Sequence, residues 1–534
     1  MAEQPKILPL NVLREAPNTS CKKFDLSLAG SELIFMRNRL ADALEAHPEG
    51  NISRCGMLNV FVVDRIKQAI SYEWQYQGCS GIWPGMAEAE FKRAIKEESG
   101  MKNFHLRIKL WEFLRTLVSD DGPELSGWLI RCEDKNGESA VQLRWREDFK
   151  SGWADDIVLT LDATFSSELV APYFARPLEI LPCADAKLEH VSVLQVIDCS
   201  FAATSIIPTG DNDDKRRENR AREVWRWVWL RSIEFRGKGR DGIDVLILCQ
   251  LGLERLLRDW GLPDKVDIAH FNDIRGLDQW GGVRCLVSAG RVSPKPSDVE
   301  DIAETLTGSA VTEKVKHGEW YPKETVGIRL ADGTGWPVEN DRHPDPVAEA
   351  VRHQICDGEL IQAIGRGRAV NRSEGWPLQI DILTNVCLPL IVNQPILWKD
   401  AAPGKVDEMI CRGLLPKSYS AAAQLYPDLW SSEDAARKAA SRRLRETEAE
   451  ALKPDISLII YSIWGMSGLS RLFDLNLISG LATICGKTRS QTLPFLFDPA
   501  IIPSPGSWLS ERYEANATVL IGSDAETEFQ KRIL

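Results

Sequence analysis

The run VLILC at residues 245–249, followed by LGLERLLRDW at residues 251–260, decides the fold class. The first run is uninterrupted apolar sequence, which is typical of a strand that is covered on both faces. The second run has apolar residues at three- and four-residue spacing, which indicates an amphipathic helix. A buried strand that leads directly into a helix predicts a βα unit of a parallel sheet.

The same alternation of strands and helices continues on both sides of this unit. The further strand candidates are Val191–Ile197, Val283–Ala289 and Leu378–Thr384, and the further helix candidate is Ala348–Gly365. We therefore expect an α/β domain with a parallel sheet over residues 190–400. Two stretches are expected to interrupt it: a loop, GKGRDG at residues 237–242, and an insertion with a small β element at about residues 293–346.

The flanking regions have different patterns. Residues 1–150 predict a mostly helical insertion region, with helices at Ser31–His47, Val60–Trp74, Glu88–Glu98 and Phe104–Leu117. Residues 405–534 predict a C-terminal α+β domain, helical over residues 420–451 with a break at Pro427 and strand-like at residues 456–463 and 492–497. Within it, residues 420–445 fit either a helix-turn-helix that binds DNA or an ordinary helical hairpin.

Composition bounds the class of protein. The chain has 534 residues, 44% hydrophobic and 27% charged, which is ordinary for a globular protein, and a net charge of -12 excludes a general positive field for nucleic acid. Twelve cysteines without a C-x-x-C pair and only seven histidines argue against zinc sites and disulfides. Because no long apolar run occurs, we expect a soluble cytoplasmic protein with no membrane partner.

The most informative stretch for function is QAIGRGRAVNR at residues 362–372, which follows a helix candidate and precedes a strand candidate. The planar and permanently charged guanidinium of an arginine stabilises charge on phosphoryl oxygens, and such an arginine is worth ~10³ or more in rate. The alternative is a solvated basic turn at the end of a helix.

Two shorter patterns precede it. The stretch NDIRGLD at residues 272–278 comes before the strand candidate at 283–289, and a glycine there lets backbone amides approach a ligand. Taken alone, Gly-Leu-Asp is more often a plain turn. The triplet Asp162-Ala163-Thr164 follows an apolar run at residues 156–161 and precedes a helix candidate. The alternative interpretation is that Asp162 or Thr164 caps this helix.

These stretches together resemble the motifs of superfamily 2 helicases. Residues 362–372 resemble motif VI (Q-x-x-G-R-x-x-R), residues 272–278 resemble motif V, residues 245–250 resemble motif IV, and residues 161–165 resemble motif III. The run at residues 341–372 is the most specific part. It is similar to the C-terminal part of primase-helicase-like proteins of bacterial plasmids and mobile elements, and the resemblance covers most of residues 130–510.

The resemblance implies a RecA-like second motor lobe at residues 190–400 and the end of a first lobe at residues 151–189. It assigns catalytic roles to Gln362, Arg366 and Arg368. It assigns positions in the ATP cleft to Gly276, Asp278, Gly365, Asp162 and Thr164. The second arginine of the family motif falls on Ala369 here, so Arg368 or Arg372 would have to replace it.

The phosphate-binding loop of such motors, G-x-x-x-x-G-K-[ST], does not occur in this sequence. Gly486-Lys487-Thr488 has the wrong spacing to Gly480, and Asp407-Glu408 does not follow a buried strand as a magnesium-binding motif would. We therefore expect the second half of an ATP-dependent helicase or translocase, inactive alone, which binds ATP and Mg²⁺ only with a first lobe on an upstream polypeptide. The alternative is a non-enzymatic nucleic-acid-binding or regulatory remnant.

Contacts to DNA, single-stranded or duplex, are expected from two basic stretches. Residues 215–240 carry ten lysines and arginines against three glutamates, with Trp225, Trp227 and Trp229 between them. Cations beside aromatic rings suit single-stranded nucleic acid, whereas the alternative is a helix whose tryptophans pack into the core. The candidate residues are Arg226, Arg231, Arg236 and Lys238 in this stretch, and Arg437, Lys438 and Arg442 in the second helix of residues 420–445.

Overall fold

The computed structural model of the chain describes residues 5–15, 27–54, 58, 60–75, 88–148, 158–160, 162–174, 176–181, 188–444, 460, 464, 472–486 and 490–533. The chain divides into two compact units, each built from three separate segments. Unit 1 comprises Met1–Pro182, Pro294–Pro322 and Asp341–Ile355. Unit 2 comprises Cys183–Ser293, Lys323–Asn340 and Cys356–Leu534.

The helices and strands are numbered along the chain. The helices are α1 Ser27–Glu45, α2 Val63–Gln75, α3 Glu88–Val118, α4 Ser167–Val170, α5 Ala203–Ile206, α6 Asp214–Glu234, α7 Leu251–Trp260, α8 Pro296–Thr307, α9 Pro346–Gly365, α10 Trp398–Ala401, α11 Lys405–Cys411, α12 Tyr419–Leu425, α13 Glu433–Leu444, α14 Pro505–Tyr513 and α15 Ser523–Ile533. The strands are β1 Lys6–Pro9, β2 Gly50–Ser53, β3 Leu125–Glu133, β4 Ser139–Leu143, β5 Val191–Val196, β6 Val245–Cys249, β7 Val266–His270, β8 Cys285–Ala289, β9 Lys323–Leu330, β10 Gly335–Asp341, β11 Leu378–Leu383, β12 Ile391–Val392, β13 Gln394–Ile396, β14 Leu414–Pro416, β15 Ile478–Cys485, β16 Ser490–Phe497 and β17 Asn516–Ile521. Short 3₁₀ turns lie at Leu10–Arg14, Ala171–Tyr173 and Ala369–Asn371.

Unit 1 packs helices α1, α2 and α3 around one hydrophobic core that also includes one antiparallel sheet of order β1-β4-β3-β2. The predicted helices are present, but the two that were expected before and after residue 100 form the single helix α3. The sheet makes the first 150 residues less helical than expected. The apolar run at residues 156–161 is the pattern of a buried strand, but at residues 158–160 the chain has no regular secondary structure, and Val158 and Leu159 are exposed.

Unit 2 contains a six-stranded sheet of order β13-β5-β11-β8-β6-β7. All of its strand pairs are parallel. The structure thus confirms a mixed α/β fold with a parallel sheet. Strand β6 shows why the apolar run is continuous: Val245, Ile247 and Cys249 belong to the core that includes α6 and α7, whereas Leu246 and Leu248 belong to the core that includes the end of α9.

The remaining part of unit 2 includes an antiparallel sheet of order β14-β16-β15-β17, with the C-terminal helices. Its core residues, Phe495 among them, form one cluster with those of helix α6. Strand β16 confirms the strand predicted at residues 492–497, whereas Ile460, within the strand-like run at 456–463, is helical and most of that run lies outside the described residues. Among the described residues, none of the helices combines the length and the apolar character that a membrane crossing requires.

Candidate functional site

Helix α9 ends in a tight turn that presents the arginines of residues 366–372. The backbone amides of Arg366, Gly367 and Arg368 each donate to the carbonyl three residues earlier, so the helix closes in 3₁₀ geometry. Arg368 then adopts a left-handed backbone with φ of 48°. This conformation is uncommon for a residue other than glycine, and such strain persists where surrounding contacts hold it, often at functional sites.

The loop at residues 272–278 is held against helix α9 by one carboxylate. Glu359, which is 2% exposed, accepts hydrogen bonds from the Asn272 amide at 2.6 Å and from Arg275 Nη2 at 3.0 Å. Gly276 follows with φ of 77°, a left-handed conformation that favours glycine. The two stretches that the sequence singles out are therefore neighbours in space, and Glu359, which the sequence analysis missed, holds them together.

Two direct contacts join these stretches. Arg366 Nη1 donates to the Leu277 carbonyl at 2.7 Å, and Arg368 Nε donates to Asp278 Oδ1 at 2.6 Å. The second contact is an ion pair between two largely exposed side chains. Arg366 Nε is buried and has no acceptor among the described residues. The site thus offers two guanidinium groups whose orientation is set by the neighbouring loop.

Electrostatics fix the charge states of the ion pair. The hydrogen bond from Arg368, together with the positive charges of Arg368 and Arg366, lowers the pKa of the Asp278 carboxyl below its ordinary value. Asp278 in turn raises the pKa of the Arg368 guanidinium. Asp278 is therefore an anion and Arg368 a cation at neutral pH.

Arg372 has a different role from Arg368. It is 8% exposed, and its guanidinium donates to the carbonyls of Val283 at 2.6 Å, Gly281 at 3.0 Å and Gly367 at 3.1 Å. These bonds tie the turn after α9 to the segment that enters β8. Of the two arginines that could replace the missing second arginine of the motif, Arg368 is the accessible one and Arg372 is a structural brace.

Two further predicted site residues lie on helix α9. Gln362 is half-buried, and Gly365 is the last residue of the helix. Gly365 has no positive φ, and a Cβ placed on it would meet no atom within 4 Å. Nothing within the described residues therefore requires glycine at this position.

Asp162 and Thr164 belong to unit 1. Asp162 Oδ1 accepts hydrogen bonds from the Thr164 amide at 2.8 Å and from its hydroxyl at 3.0 Å. Gln354, also in unit 1, donates to the Thr164 hydroxyl at 3.1 Å. Helix α4 has Ser166 and not Asp162 as its N-cap. Asp162 thus forms a local turn with Thr164 and does not cap the helix.

The C-terminal half of helix α6 is mostly buried. Arg231, 2% exposed, donates to Asp381 Oδ2 at 2.6 Å, and Arg226, 9% exposed, donates to Glu408 Oε2 at 2.8 and 2.9 Å. Contrary to the prediction that they contact the phosphates of a nucleic acid, both guanidiniums form ion pairs with carboxylates inside the fold. Trp225 and Trp227 are buried as well, so the alternative interpretation of this stretch, a helix whose tryptophans enter the core, describes them correctly.

The remaining candidates in this stretch are exposed. Arg236 is 39% exposed and pairs with the buried Asp498 at 2.7 Å. The Lys238 ammonium lies 5.6 Å from the centroid of the Phe235 ring, in the glycine-rich loop that was predicted at residues 237–242. Lys238 is therefore accessible to an anion, whereas Arg236 already has a carboxylate partner.

Helices α12 and α13 correspond to the helix pair predicted at residues 420–445. Residues 426–432 join them, which is longer than the three- or four-residue turn of a DNA-binding helix-turn-helix. Arg437 pairs with Glu433 and Asp434 of its own helix, and Lys438 is exposed. Arg442 lies in α13, beyond the residues whose side chains the structure describes. The longer connection favours an ordinary helical hairpin.

A second group of cations lies beside the first, and of its members the sequence analysis names only Arg372. The guanidinium carbons of Arg240 and Arg372 lie 3.9 and 4.0 Å from the centroid of the Trp376 ring, and Arg284 directly follows Val283. Burial, and then the positive charges of Arg284 and Arg240, lower the pKa of Arg372 to about 10. The sequence shows only that Arg240, Arg284 and Arg372 each precede a strand, and this pattern alone does not indicate that they meet.

The donor set of the site suits phosphate oxygens better than a metal ion. Its exposed groups are guanidiniums and one carboxylate, Asp278, which is paired with Arg368, whereas the carboxylate of Glu359 is buried. Among the residues that the structure describes, no group of three or more histidine, cysteine, aspartate or glutamate side chains is placed to hold a metal ion. A search of protein-family models gives no match to this chain, and no curated protein matches it.

Proposed function

We propose that unit 2 acts as the second, RecA-like lobe of a superfamily 2 helicase or translocase motor. In this role Arg366 and Arg368 reach the phosphates of an ATP molecule that another polypeptide segment holds together with Mg²⁺. The observation that carries the proposal is the arrangement of residues 272–278 against residues 366–368 beside a parallel sheet. Two sequence stretches that resemble parts of one nucleotide cleft lie in direct contact although they are about ninety residues apart.

The geometry suggests a division of labour among these side chains. Arg366 and Arg368 each use one nitrogen on the loop, through Leu277 and Asp278. Their remaining guanidinium nitrogens, apart from the buried Arg366 Nε, are left for phosphate oxygens. Asp278 is a positioning residue, since it fixes the plane of the Arg368 guanidinium. Arg372 holds the turn in place through carbonyl oxygens. ATP with Mg²⁺ supplies the group to be transferred and the chemical free energy, and the arginines stabilise its developing charge.

The open space at Gly365 is a second supporting observation. The residue needs neither a left-handed backbone nor close packing within its unit. A glycine in such a place is useful when a ligand approaches the backbone closely. This agrees with a nucleotide that approaches the end of α9.

The test is nucleic-acid-stimulated ATP hydrolysis, measured for this chain alone and after mixing with an upstream polypeptide that carries a phosphate-binding loop. We expect hydrolysis only in the mixture and a loss of ~10³ or more in rate with Arg366→Ala, as for an arginine finger. Arg255→Ala, which removes an exposed arginine of helix α7, is the matched control and should hydrolyse ATP like the unaltered chain.

Other outcomes have distinct meanings. Hydrolysis in the mixture that survives Arg366→Ala would remove the proposed role of this arginine. No hydrolysis in either sample, with retained binding to single-stranded DNA, would favour the non-enzymatic nucleic-acid-binding remnant.

A further inference from the structure

Three arginines and one tryptophan form a cluster where the chain enters strands β8 and β11. Arg372 donates to the carbonyls of Gly281 and Val283, the Arg240 amide donates to the Gly282 carbonyl at 2.8 Å, and Arg284 is the next residue along the chain. The Trp376 ring lies against the guanidiniums of Arg240 and Arg372. We call Arg240, Arg284, Arg372 and Trp376 the edge cluster.

The edge cluster has positive charge without a counter-ion. No carboxylate pairs with any of its three arginines among the described residues. The nearby acidic side chains form no ion pair with it: Asp241 and Glu374 are exposed, with the Asp241 carboxylate against Gly282, and Asp244 accepts hydrogen bonds from the amides of Gly237 and Gly239.

Several donors in the edge cluster are buried and unpaired. Arg284 Nε and Nη1 and Trp376 Nε1 have no acceptor among the described residues. Burial lowers the pKa of Arg284 and contributes most to the lowered pKa of Arg372. Buried donors and uncompensated buried charges are both costly. Unsatisfied buried groups in a native structure call for an explanation, and a bound ion is one of them.

We propose that the edge cluster binds a phosphate group, with Arg284 and Trp376 Nε1 as hydrogen-bond donors and Arg240 as the accessible cation. Arg372 contributes charge alone, because its nitrogens are already used on backbone carbonyls. The site is distinct from the pair Arg366 and Arg368, which face Leu277 and Asp278. It does not depend on the proposed motor activity, since it requires only residues of unit 2.

A phosphate group reaches such a site from one of two sources, a free nucleotide or the backbone of a nucleic acid. The test uses thermal unfolding of the whole chain at low salt with three probes: inorganic phosphate, ATP, and a single-stranded DNA oligonucleotide. We expect at least one probe to raise the unfolding midpoint in a concentration-dependent way. An effect of ATP and phosphate without the oligonucleotide assigns a free nucleotide or phosphate, and an effect of the oligonucleotide assigns the nucleic-acid backbone.

The variants decide whether the edge cluster is responsible. Arg284→Met and Arg240→Met should each weaken the apparent affinity for the active probe by roughly tenfold, the value of one charge-assisted hydrogen bond. Arg255→Met, which removes an equal charge from the exposed face of α7, should leave it within about twofold. If Arg284→Met does not fold, the exposed Arg240 decides alone. No response of the unaltered chain to any probe, or equal binding by Arg240→Met and Arg255→Met, would overturn the proposal.

Because no step of this test involves ATP hydrolysis, it separates the two proposals. A chain that binds phosphate through Arg284 but never supports hydrolysis would support the phosphate site and contradict the proposed motor lobe. A chain that supports hydrolysis through Arg366 but binds no probe at the edge cluster would support the motor lobe and contradict the phosphate site.

Discussion

Unit 2 has two arginine-rich regions that look alike in sequence and differ in structure. In helix α6, Arg226 and Arg231 are buried and each has its own carboxylate, Glu408 and Asp381. In the turn after α9, Arg366 is held by a backbone carbonyl and Arg368 by an exposed carboxylate. The edge cluster, which shares Arg372 with this second region, has no carboxylate partner among the described residues.

The comparison shows that the partner of an arginine indicates its role better than the number of arginines nearby. Burial lowers the pKa of Arg231, but Asp381 and Glu234 outweigh this effect and raise it overall, so Arg231 stays charged inside the core. Such a pair holds the fold together and is closed to ligands. An arginine that keeps accessible guanidinium nitrogens, because its partner is exposed or its charge is uncompensated, remains able to bind an anion.

The largest expected effect comes from breaking the buried pair in the centre of the sheet. Asp381 is fully buried on β11 and accepts hydrogen bonds from Arg231 and from Trp227 Nε1 at 2.7 Å. Asp381→Ala leaves a buried guanidinium without its counter-ion, so we expect a loss of about 3–5 kcal/mol in the free energy of unfolding. Urea denaturation followed by tryptophan fluorescence measures it.

Two further variants sharpen this test. Arg366→Ala removes a partly exposed arginine and should change the free energy of unfolding by no more than about 0.5 kcal/mol. The double variant Arg231→Met with Asp381→Leu should recover much of the loss, because it removes both charges together. Similar costs for Asp381→Ala and Arg366→Ala would mean that the two arginine regions do not differ as described.

An intermediate effect is expected from two glycines of the same turn. A Cβ on Gly367 would lie 2.9 Å from Leu378 Cδ2 and 3.3 Å from Leu286 Cδ1, whereas a Cβ on Gly365 would meet nothing. Gly367→Ala should therefore cost about 1–3 kcal/mol by overpacking. Gly365→Ala should instead stabilise by about 0.4–1 kcal/mol, since alanine has fewer unfolded conformations.

The same pair of variants also tests the proposed function. In the hydrolysis assay with the upstream polypeptide, Gly365→Ala should lower the rate although it does not destabilise the chain, because the added methyl group occupies the space that a nucleotide approaches. Thermal unfolding of both variants supplies the comparison of stability. An active and stabilised Gly365→Ala variant would count against a nucleotide at the end of α9.

Much of the fold of unit 2 could be predicted from its most buried elements. The strand Val245–Cys249 and the helix Leu251–Trp260 have the predicted bounds, since a central parallel strand must be apolar on both faces and a covering helix on one. The edge strands β7 and β13 were missed. β7 carries Asp267 and His270, and β13 has only three residues with Pro395 among them, so neither has the apolar run of a central strand.

The candidate site was located by its motif, but the state of each arginine depends on distant residues. Arg231 pairs with Asp381, which is 150 positions away in the sequence, and Arg226 pairs with Glu408, which is 182 positions away. No local sequence pattern predicts either pair. For the same reason the sequence left Arg368 and Arg372 as equal alternatives. Only the carbonyls of Gly281 and Val283, which depend on how the loop folds, separate them.

The smallest expected effect is on the exposed pair of Arg368 and Asp278, and it concerns pH. Because the folded chain lowers the pKa of Asp278 below 3.8, the pair contributes stability above that value and loses it as pH falls through the lowered pKa. NMR titration of the Asp278 carboxyl should give a midpoint below 3.8, and Arg368→Met should raise it. Asp332, whose pKa is lowered by hydrogen bonds from Thr334, is the internal control and should not respond to Arg368→Met. If the titration midpoint of Asp278 is unchanged by Arg368→Met, Asp278 does not position Arg368 in solution. The hydrogen bonds of Arg372 to the carbonyls of Gly281 and Val283 would then be the contacts that order this turn.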